Sequence, residues 1–388
     1  MGDLMKRVMM LATTVYMHEK FNKDNILILR KLGYEVDVVA NFKSSGALSE
    51  EAANNFKDWL VSNRCRFYSI DISRSPYSFF ENIRSIKKLE KIVKENNYSF
   101  IHCHNPMGGV VTRLVAKRNK IRVIYTAHGF HFFEGCPVKN WLLYYPVEKY
   151  LSRWTDILIT INREDDLRAK RKFHAKKYVY IPGVGVDKKK IENTVVDKAN
   201  KRKELDLEGK FIFLAVGELQ KRKNHQLILD AVNELKKEEF EGFDNCIFLI
   251  SGKGELFNSY ENFIIKHNLG DKIILLGYRD DVYELLKISD CFIHPSVREG
   301  LGIAPLEAMT VGLPLISTKV NGMKDYVVNN KTGLVVNPKD VFAMKDAIKK
   351  LYSDAAFRKN CSKNNKKISE QFCKNKTNTI MEKIYKSI

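Results

Sequence analysis

Two glutamates stand eight positions apart around a glycine-rich turn, Glu299 before it and Glu307 in the apolar segment that follows. The apolar stretch 290–296 precedes them, so the pattern predicts a strand, a turn and a helix. Gly300 and Gly302 carry no Cβ, so a phosphate or sugar can approach the backbone. The helix N-terminus would add unpaired N–H groups and a positive dipole end. Since carboxylates accept hydroxyl hydrogen bonds, we expect a phosphorylated, polyhydroxylated ligand.

A basic turn follows another predicted strand. The apolar run 211–216 ends in Gly217, and Lys221, Arg222 and Lys223 come soon after it. A phosphorylated ligand carries negative charge, and fixed cations stabilise that charge. We expect Lys221 and Lys223 to contact the phosphate of such a ligand; the alternative is a solvated basic turn.

Histidines cluster at predicted strand ends in the first half. His128 follows strand 123–126, and His131 comes three positions later. His102 and His104 alternate on strand 100–104. A neutral imidazole at a strand end can hydrogen-bond a sugar, which we expect of His128. His104 and His131 are candidates for contact with a second substrate, the acceptor side of such a site, with core packing as the alternative. No carboxylate or cysteine stands at metal-ligand spacing, so we expect no metal.

Predicted strands and helices alternate along the chain, which indicates parallel sheets covered by helices on both faces. The alternation breaks at 181–187, a lysine-rich stretch follows, and a second alternating series begins near Phe211. We therefore expect an α/β protein with two doubly wound Rossmann-like domains, 1–182 and 183–365, facing each other across a cleft. Ligands of such sheets bind at the carboxyl ends of the strands.

Composition narrows the class of protein. The 388 residues suffice for two domains with full cores, and 44% hydrophobic content is typical of a globular protein. No apolar run reaches the roughly 18 residues that cross a bilayer. Residues 1–7 lack a signal-peptide pattern, and the seven cysteines form no C-x-x-C pair. We expect a cytoplasmic protein with reduced thiols.

The net charge of +20 predicts an anionic partner. A predicted helix over 76–96 has an apolar face that includes Phe79 and a basic face, which suits an anionic membrane surface as well as it suits ordinary solvation. The aromatic stretch 141–146 could touch lipid or belong to the core. Aromatic and basic residues are not interleaved on one surface, so we expect no nucleic acid.

The string from Arg298 to Met309 resembles the E-x7-E signature of family 4 retaining glycosyltransferases, which have the GT-B fold. The resemblance implies that Glu299 meets the donor sugar and Glu307 the nucleotide ribose. It also implies a last helix, over 366–388, that returns to the first domain. The turn around the signature would complete the donor-binding set with Gly300, Leu301, Gly302 and Ile303.

Other segments carry the same resemblance. The stretch from Gly217 to Lys223 is similar to the family's G-R-L-x-x-x-K block, but Glu218 replaces the arginine. His128 matches the histidine that contacts the donor sugar. The loop with Arg279 matches one that contacts the base. The first strand–helix loop lacks the family's diglycine, which makes its residues candidates for acceptor contact rather than phosphate contact: Tyr16 and His18.

The resemblance implies a retaining, metal-independent hexosyl- or N-acetylhexosaminyltransferase without a cofactor. A UDP-sugar is the favoured donor, with UDP-N-acetylhexosamine as a guess. The expected acceptor is a lipid-diphosphate-linked glycan, in capsule or exopolysaccharide assembly at the inner membrane face. The alternatives are a GT-B enzyme of phosphorylase or epimerase type and, with less support, a basic nucleic-acid-binding protein.

Overall fold

The computed structural model describes residues 6–43, 48–75 and 77–388; residues 1–5 and 44–47, Pro76 and the side chain of Phe79 lie outside the description. The chain divides into two compact units. One comprises Met1–Val184 together with Asn375–Ile388, and the other comprises Gly185–Lys374.

The first unit is built on a seven-stranded sheet in the order β3-β2-β1-β4-β5-β6-β7, with every neighbouring pair parallel. The central strands are buried on both faces, as expected where helices cover both sides. The strands are β1 (Arg7–Thr14), β2 (Glu35–Asn41), β3 (Arg66–Ser69), β4 (Tyr98–His104), β5 (Arg122–Ala127), β6 (Ile157–Thr160) and β7 (Lys177–Tyr180).

The second unit has a six-stranded parallel sheet in the order β10-β9-β8-β11-β12-β13. Its strands are β8 (Phe211–Val216), β9 (Cys246–Ser251), β10 (Ile273–Gly277), β11 (Cys291–His294), β12 (Leu315–Ser317) and β13 (Gly333–Val335). The alternation of strand and helix predicted from the sequence is therefore confirmed as two doubly wound α/β units.

Helices connect the strands of both units. They are α1 (Val15–Phe21), α2 (Lys23–Lys31), α3 (Glu50–Ser62), α4 (Phe79–Glu95), α5 (Pro106–Asn119), α6 (Val138–Leu151), α7 (Arg163–Lys172), α8 (Lys188–Asn193), α9 (Lys198–Glu204), α10 (Gln226–Lys237), α11 (Phe257–Lys266), α12 (Val282–Ile288), α13 (Ile303–Val311), α14 (Val341–Ser353), α15 (Ala355–Ser369) and α16 (Lys374–Lys386). No described helix has both the length and the apolar composition of a membrane span.

Each unit buries its own apolar core. In the first unit, α4, α5 and α6 pack on one face of the sheet through residues such as Leu89, Val115 and Tyr145. Helix α16 contributes to the same unit, where the rings of Tyr385 and Phe100 stack with centroids 6.1 Å apart. In the second unit, α10, α11 and α14 pack around the strands of the six-stranded sheet.

Several element boundaries differ from the sequence prediction. Strand β1 continues to Thr14, which pairs with Asn41 of β2, and α1 begins at Val15. The segment predicted as a loop therefore ends a strand and starts a helix, because no glycine or proline interrupts it. The predicted helix over 366–388 is two helices separated by a turn at 370–372, and only residues from Asn375 onward belong to the first unit.

Candidate active site

The second sheet changes direction of strand order between β8 and β11. Strands β9 and β10 lie beyond β8, whereas β12 and β13 lie beyond β11. Ligands of doubly wound sheets bind where the order reverses, at the carboxyl ends of the strands. Lys223 follows β8 and Glu299 follows β11, and the Lys223 Nζ donates to Glu299 Oε1 at 2.5 Å. An ion pair therefore spans the switch point.

Glu299 is a fixed, ionised carboxylate. Its side chain is 7% exposed, and its Oε1 also accepts hydrogen bonds from His294 Nε2 at 3.0 Å and Ser296 Oγ at 2.8 Å. Burial acts to raise the pKa of Glu299, but Lys223 and His294 outweigh it and leave the pKa well below its usual range. Burial also lowers the pKa of His294, so a neutral ring donates from Nε2.

The basic turn after β8 places one cation in the site. The backbone N–H of Lys223 donates to Gln220, and a Cβ on Gly217 would lie 3.4 Å from the Lys223 side chain. Lys221 is exposed. Glu218, which replaces the family's arginine, pairs instead with Arg222 at 2.5 Å. The charges of Glu218 and Arg222 therefore cancel locally, and Lys223 is the residue of this turn that is held at the switch point.

The glycine-rich turn is packed closely against the segment that follows β12. Gly302 has φ +84°, and a Cβ there would lie 2.9 Å from the Tyr326 hydroxyl. That hydroxyl donates to the Leu301 carbonyl at 2.8 Å. The carbonyl of Gly300 would lie 2.0 Å from a Cβ on Gly322. Helix α13 begins next, at Ile303, and its N-cap residue, Gly302, has no side chain that could accept from the first N–H groups. Its first N–H groups suit an anion.

Glu307 provides a second carboxylate with a different environment. The Tyr283 hydroxyl donates to Glu307 Oε1 at 3.1 Å. Burial raises the pKa of Glu307 to about 7, and the Tyr283 hydrogen bond and the charge of Lys190 limit the rise. Lys190 also lies 5.5 Å from the centre of the Tyr283 ring. A ligand with hydroxyl donors would stabilise this carboxylate in its charged form.

Arg279 lies in a separate group of charges after β10. Its guanidinium donates to both carboxylate oxygens of Asp281, which also pairs with Lys201 at 2.8 Å. Asp281 also holds the N-cap position of α12. The proposed contact of Arg279 with a base stays a prediction.

In the first unit, His128 and His104 form a pair. The Nδ1 of His104 lies 3.1 Å from the Nε2 of His128. Burial lowers the pKa of His128 to about 4 and holds the pKa of His104 well below its usual value, so both rings are neutral at pH 7. The Nε2 of His104 is buried, and no described residue hydrogen-bonds it. His128 is partly exposed, as a ligand contact requires.

Two other histidines of this unit are satisfied core residues. His102 lies 2.8 Å from both the Tyr385 hydroxyl and Thr126 Oγ1. His18 is fully buried; its Nε2 bonds the Val39 carbonyl and its Nδ1 accepts from an asparagine. Acceptor contact by His18 therefore gains no support from its surroundings.

The remaining acceptor-side candidates, His131 and Tyr16, each pack against another aromatic ring. The His131 ring packs on Tyr144 of α6 with centroids 4.6 Å apart. The Tyr16 ring, in the first helix, meets Phe21 edge-on at 5.9 Å. Both side chains are partly exposed. The part of the chain that the structure describes contains no group of three or more His, Cys, Asp or Glu side chains placed to hold a metal ion.

Four residues of the second unit were missed from the sequence: His294, Ser296, Tyr283 and Tyr326. His294 and Ser296 could have been found, because they stand at the carboxyl end of a predicted strand, five and three positions before Glu299. The two tyrosines carry no such signal, since helix packing alone brings Tyr283 to Glu307.

Two parallel doubly wound units are the architecture of GT-B enzymes, and the family models place the chain among the glycosyltransferases of that class. Residues 7–162 match the family model described as Glycosyl transferase 4-like, and residues 197–368 match the model Glycosyl transferases group 1. A putative glycosyltransferase, EpsD of Bacillus subtilis strain 168, is 31% identical over 386 residues, or 98% of this chain and 96% of the relative. The chain belongs to glycosyltransferase family 4.

A further relative and a solved structure are also similar to this chain. An Escherichia coli protein named UDP-Gal:alpha-D-GlcNAc-diphosphoundecaprenol alpha-1,3-galactosyltransferase is 28% identical over 335 residues, which is 84% of each chain. Anabaena Alr3699/HepE, solved in complex with UDP and glucose, superposes with a TM-score of 0.77 at 16% identity, covering 98% of this chain and 100% of that one. At that identity the structure supports the fold alone.

Proposed function

We propose that this glycosyltransferase retains the anomeric configuration and moves a sugar from a UDP-sugar to a glycan on a lipid diphosphate, in the assembly of an exopolysaccharide or capsule. The observation that carries the proposal is the Lys223–Glu299 ion pair at the switch point of the second sheet. It places a cation and a hydrogen-bond acceptor where a nucleotide sugar needs both.

The donor would be held by three kinds of contact within the second unit. Lys223 and the first N–H groups of α13 bind the diphosphate, since both offer positive charge. Glu299 accepts hydrogen bonds from the sugar hydroxyls. Glu307, oriented by Tyr283, accepts those of the ribose. We also propose that Arg279 contacts the base and, in the first unit, that His128 contacts the sugar.

In the reaction, an acceptor oxygen attacks the anomeric carbon while the bond from that carbon to the diphosphate breaks. Attack comes from the leaving-group face, and the acceptor proton passes to the departing phosphate oxygen. Lys223 stabilises the charge that develops on the diphosphate, which is the role a metal ion has in other enzymes. We therefore propose that the reaction needs no metal.

The relatives support the proposed donor and acceptor. The name of the E. coli relative specifies a UDP-sugar and an acceptor on diphosphoundecaprenol. The exposed basic face of α4 would hold the enzyme at the anionic inner membrane surface. UDP-N-acetylhexosamine is our first choice among donors.

The test is a donor screen with purified protein. Nucleotide release is measured for UDP-, GDP- and ADP-sugars with and without a lipid-diphosphate glycan, in EDTA. We expect acceptor-dependent release from a UDP-sugar and an α-linked product from an α-linked donor by NMR. The matched control is Glu299→Gln, which should lose most of this activity. Release that needs added magnesium, or an inverted product, would contradict the mechanism.

A further inference from the structure

Helix α6 is apolar on both of its faces. Its inner face packs on the core of the first unit through Trp141, Tyr144 and Tyr145. Its outer face, here named the α6 ridge, is exposed, and its residues recur at helical spacing: Val138, Leu142, Leu143, Pro146, Val147 and Tyr150. A helix that is apolar all round is normally buried, so a ridge of this kind marks contact with another apolar phase.

Tyr77, just before α4, lies beside the ridge, and a second exposed aromatic side chain, Phe80, stands in the first turn of α4. Tyr77 and Phe80 are 83% and 77% exposed. Tyr77 shares with Leu142 and Leu143 the wall of an open hollow of about 550 Å³. The apolar surface is therefore wider than one helix.

The charges around the ridge are basic. Lys139 and Arg153 are exposed at its two ends, and the Arg153 guanidinium lies 5.5 Å from the centre of the Tyr150 ring. The acidic residue of α6, Glu148, is buried and paired with Arg113. Helix α4 packs on the same core as α6, so its exposed cations lie on the same side of the sheet: Arg84, Lys87, Lys88, Lys91 and Lys94. Glutamates pair with the last two, and the stripe remains basic.

We propose that the α6 ridge, together with Tyr77 and Phe80, inserts into the interface of an anionic lipid bilayer. Aliphatic and aromatic side chains enter the boundary between headgroups and acyl chains, while flanking lysines and arginines meet the headgroup phosphates. The inference deepens the proposed function and rests on its lipid-linked acceptor, because it names the surface that brings the enzyme to that lipid.

Charge favours a bilayer over a second copy of the chain. A two-fold interface places the same patch on both sides. It would bring together the cations of both copies, Lys139 and Arg153, with no acidic residue on the exposed face of α6 to pair with them. An anionic headgroup layer supplies the missing negative charge.

The experiment measures co-sedimentation with vesicles of phosphatidylcholine, with and without phosphatidylglycerol, at low and high salt. The variant Leu142→Glu/Val147→Glu changes two exposed ridge residues. Its matched control, Leu27→Glu/Val61→Glu, changes two exposed apolar residues on α2 and α3. We expect the ridge variant to lower partitioning roughly a hundredfold at both salt concentrations, since each of its two inserted side chains contributes about tenfold. The control should bind as wild type does.

The charge-reversed variant Lys87→Glu/Lys88→Glu/Lys91→Glu should lose only the salt-sensitive part of binding, because salt screens charge but not apolar burial. Equal partitioning of the ridge variant and its control would overturn the proposal. So would a wild-type dimer that the ridge variant converts to a monomer in sedimentation velocity while vesicle binding stays unchanged; the ridge would then join two copies.

Transfer to a short, water-soluble glycosyl diphosphate separates this inference from the proposed function. The ridge variant should catalyse that transfer as wild type does. If wild type lacks the activity with every UDP-sugar while vesicle binding depends on the ridge, the proposed function fails and the bilayer surface stands.

Discussion

Donor binding should release a proton from Glu307. Burial raises the pKa of this carboxyl from 4.5 to about 7, a penalty on the charged form of about 3 kcal/mol. Two ribose hydroxyls that donate to a carboxylate contribute about 1.5–3 kcal/mol each. The bound ligand therefore offsets the penalty and returns the pKa toward its usual range. Since protonated Glu307 must ionise first, affinity should rise about tenfold between pH 6 and pH 8.

Isothermal titration calorimetry with UDP-glucose checks this, because the charge of its diphosphate is constant over that range. Buffers of different ionisation enthalpy report the protons released, close to one per site at pH 6. Glu307→Gln should bind without pH dependence. Tyr283→Phe should move the midpoint to higher pH, because the Tyr283 hydrogen bond lowers the pKa of Glu307.

The free protein supplies a second check with a definite sign. Folded Glu307 holds its proton more tightly than the unfolded chain does. Its contribution to the free energy of unfolding is therefore lost as the pH rises from 4.5 toward 7, by up to about 3 kcal/mol. Glu307→Gln should remove that loss and gain stability relative to wild type at pH 8 but not at pH 4. Wild-type affinity that is flat from pH 6 to 8, or a Glu307→Gln variant that keeps the slope, would refute the assignment.

Three further predictions concern the charged and histidine pairs. Glu299→Gln should cost about 2–4 kcal/mol of transition-state stabilisation and so lower kcat/KM about 30- to 1,000-fold. It should also lower the melting temperature, because Lys223 loses its buried counter-charge. Wild-type activity of the variant would exclude Glu299 from the site. Transfer should survive EDTA, and Lys223→Ala should reduce it more than Lys221→Ala does; equal losses would show that Lys223 has no special role. His104→Asn should keep activity where His104→Gln loses it, since only Asn places a donor near the Nδ1 position to orient His128, and similar rates for the two variants would argue against that orientation.

The His104→Asn variant tests which ring nitrogen of His104 carries the proton, Nδ1 or Nε2. The Nε2 of His104 is buried without a described partner. A buried N–H left unpaired is rarer than an unpaired acceptor, so the proton belongs on Nδ1, where it donates to His128 Nε2. His128 then carries its own proton on Nδ1.

The fold could be predicted where strands are continuous apolar runs. Residues 211–216 and 291–294 were placed correctly as strands β8 and β11, because a strand buried on both faces needs such a run. Edge strand β3, with the sequence Arg-Phe-Tyr-Ser, was missed because its residues are mostly exposed. Strand β7 was missed for a similar reason, since none of its four residues is fully buried.

The sequence predicted which residues belong to the candidate site, but not which of their side chains contact one another. Lys223 and Glu299 were each assigned to the donor from local motifs. Their ion pair could not be foreseen, because it depends on β8 lying beside β11 in the sheet. The role of Glu218 was left open, although its partner Arg222 is four positions away, a spacing at which such a pair can form.

Because α16 belongs to the first unit, the unit whose synthesis starts first is the last to have its whole chain. The Tyr385 hydroxyl reaches His102, and the Tyr385 ring stacks on Phe100, so this unit closes only with residues that follow Lys374. A ribosome that adds ~5–20 residues per second takes on the order of ten to forty seconds to make Gly185–Lys374. During that interval Phe100 and His102 of the half made first lack their contacts with Tyr385. The half that is made later therefore has all of its own chain available first, and the earlier half gains these contacts only when α16 has been made.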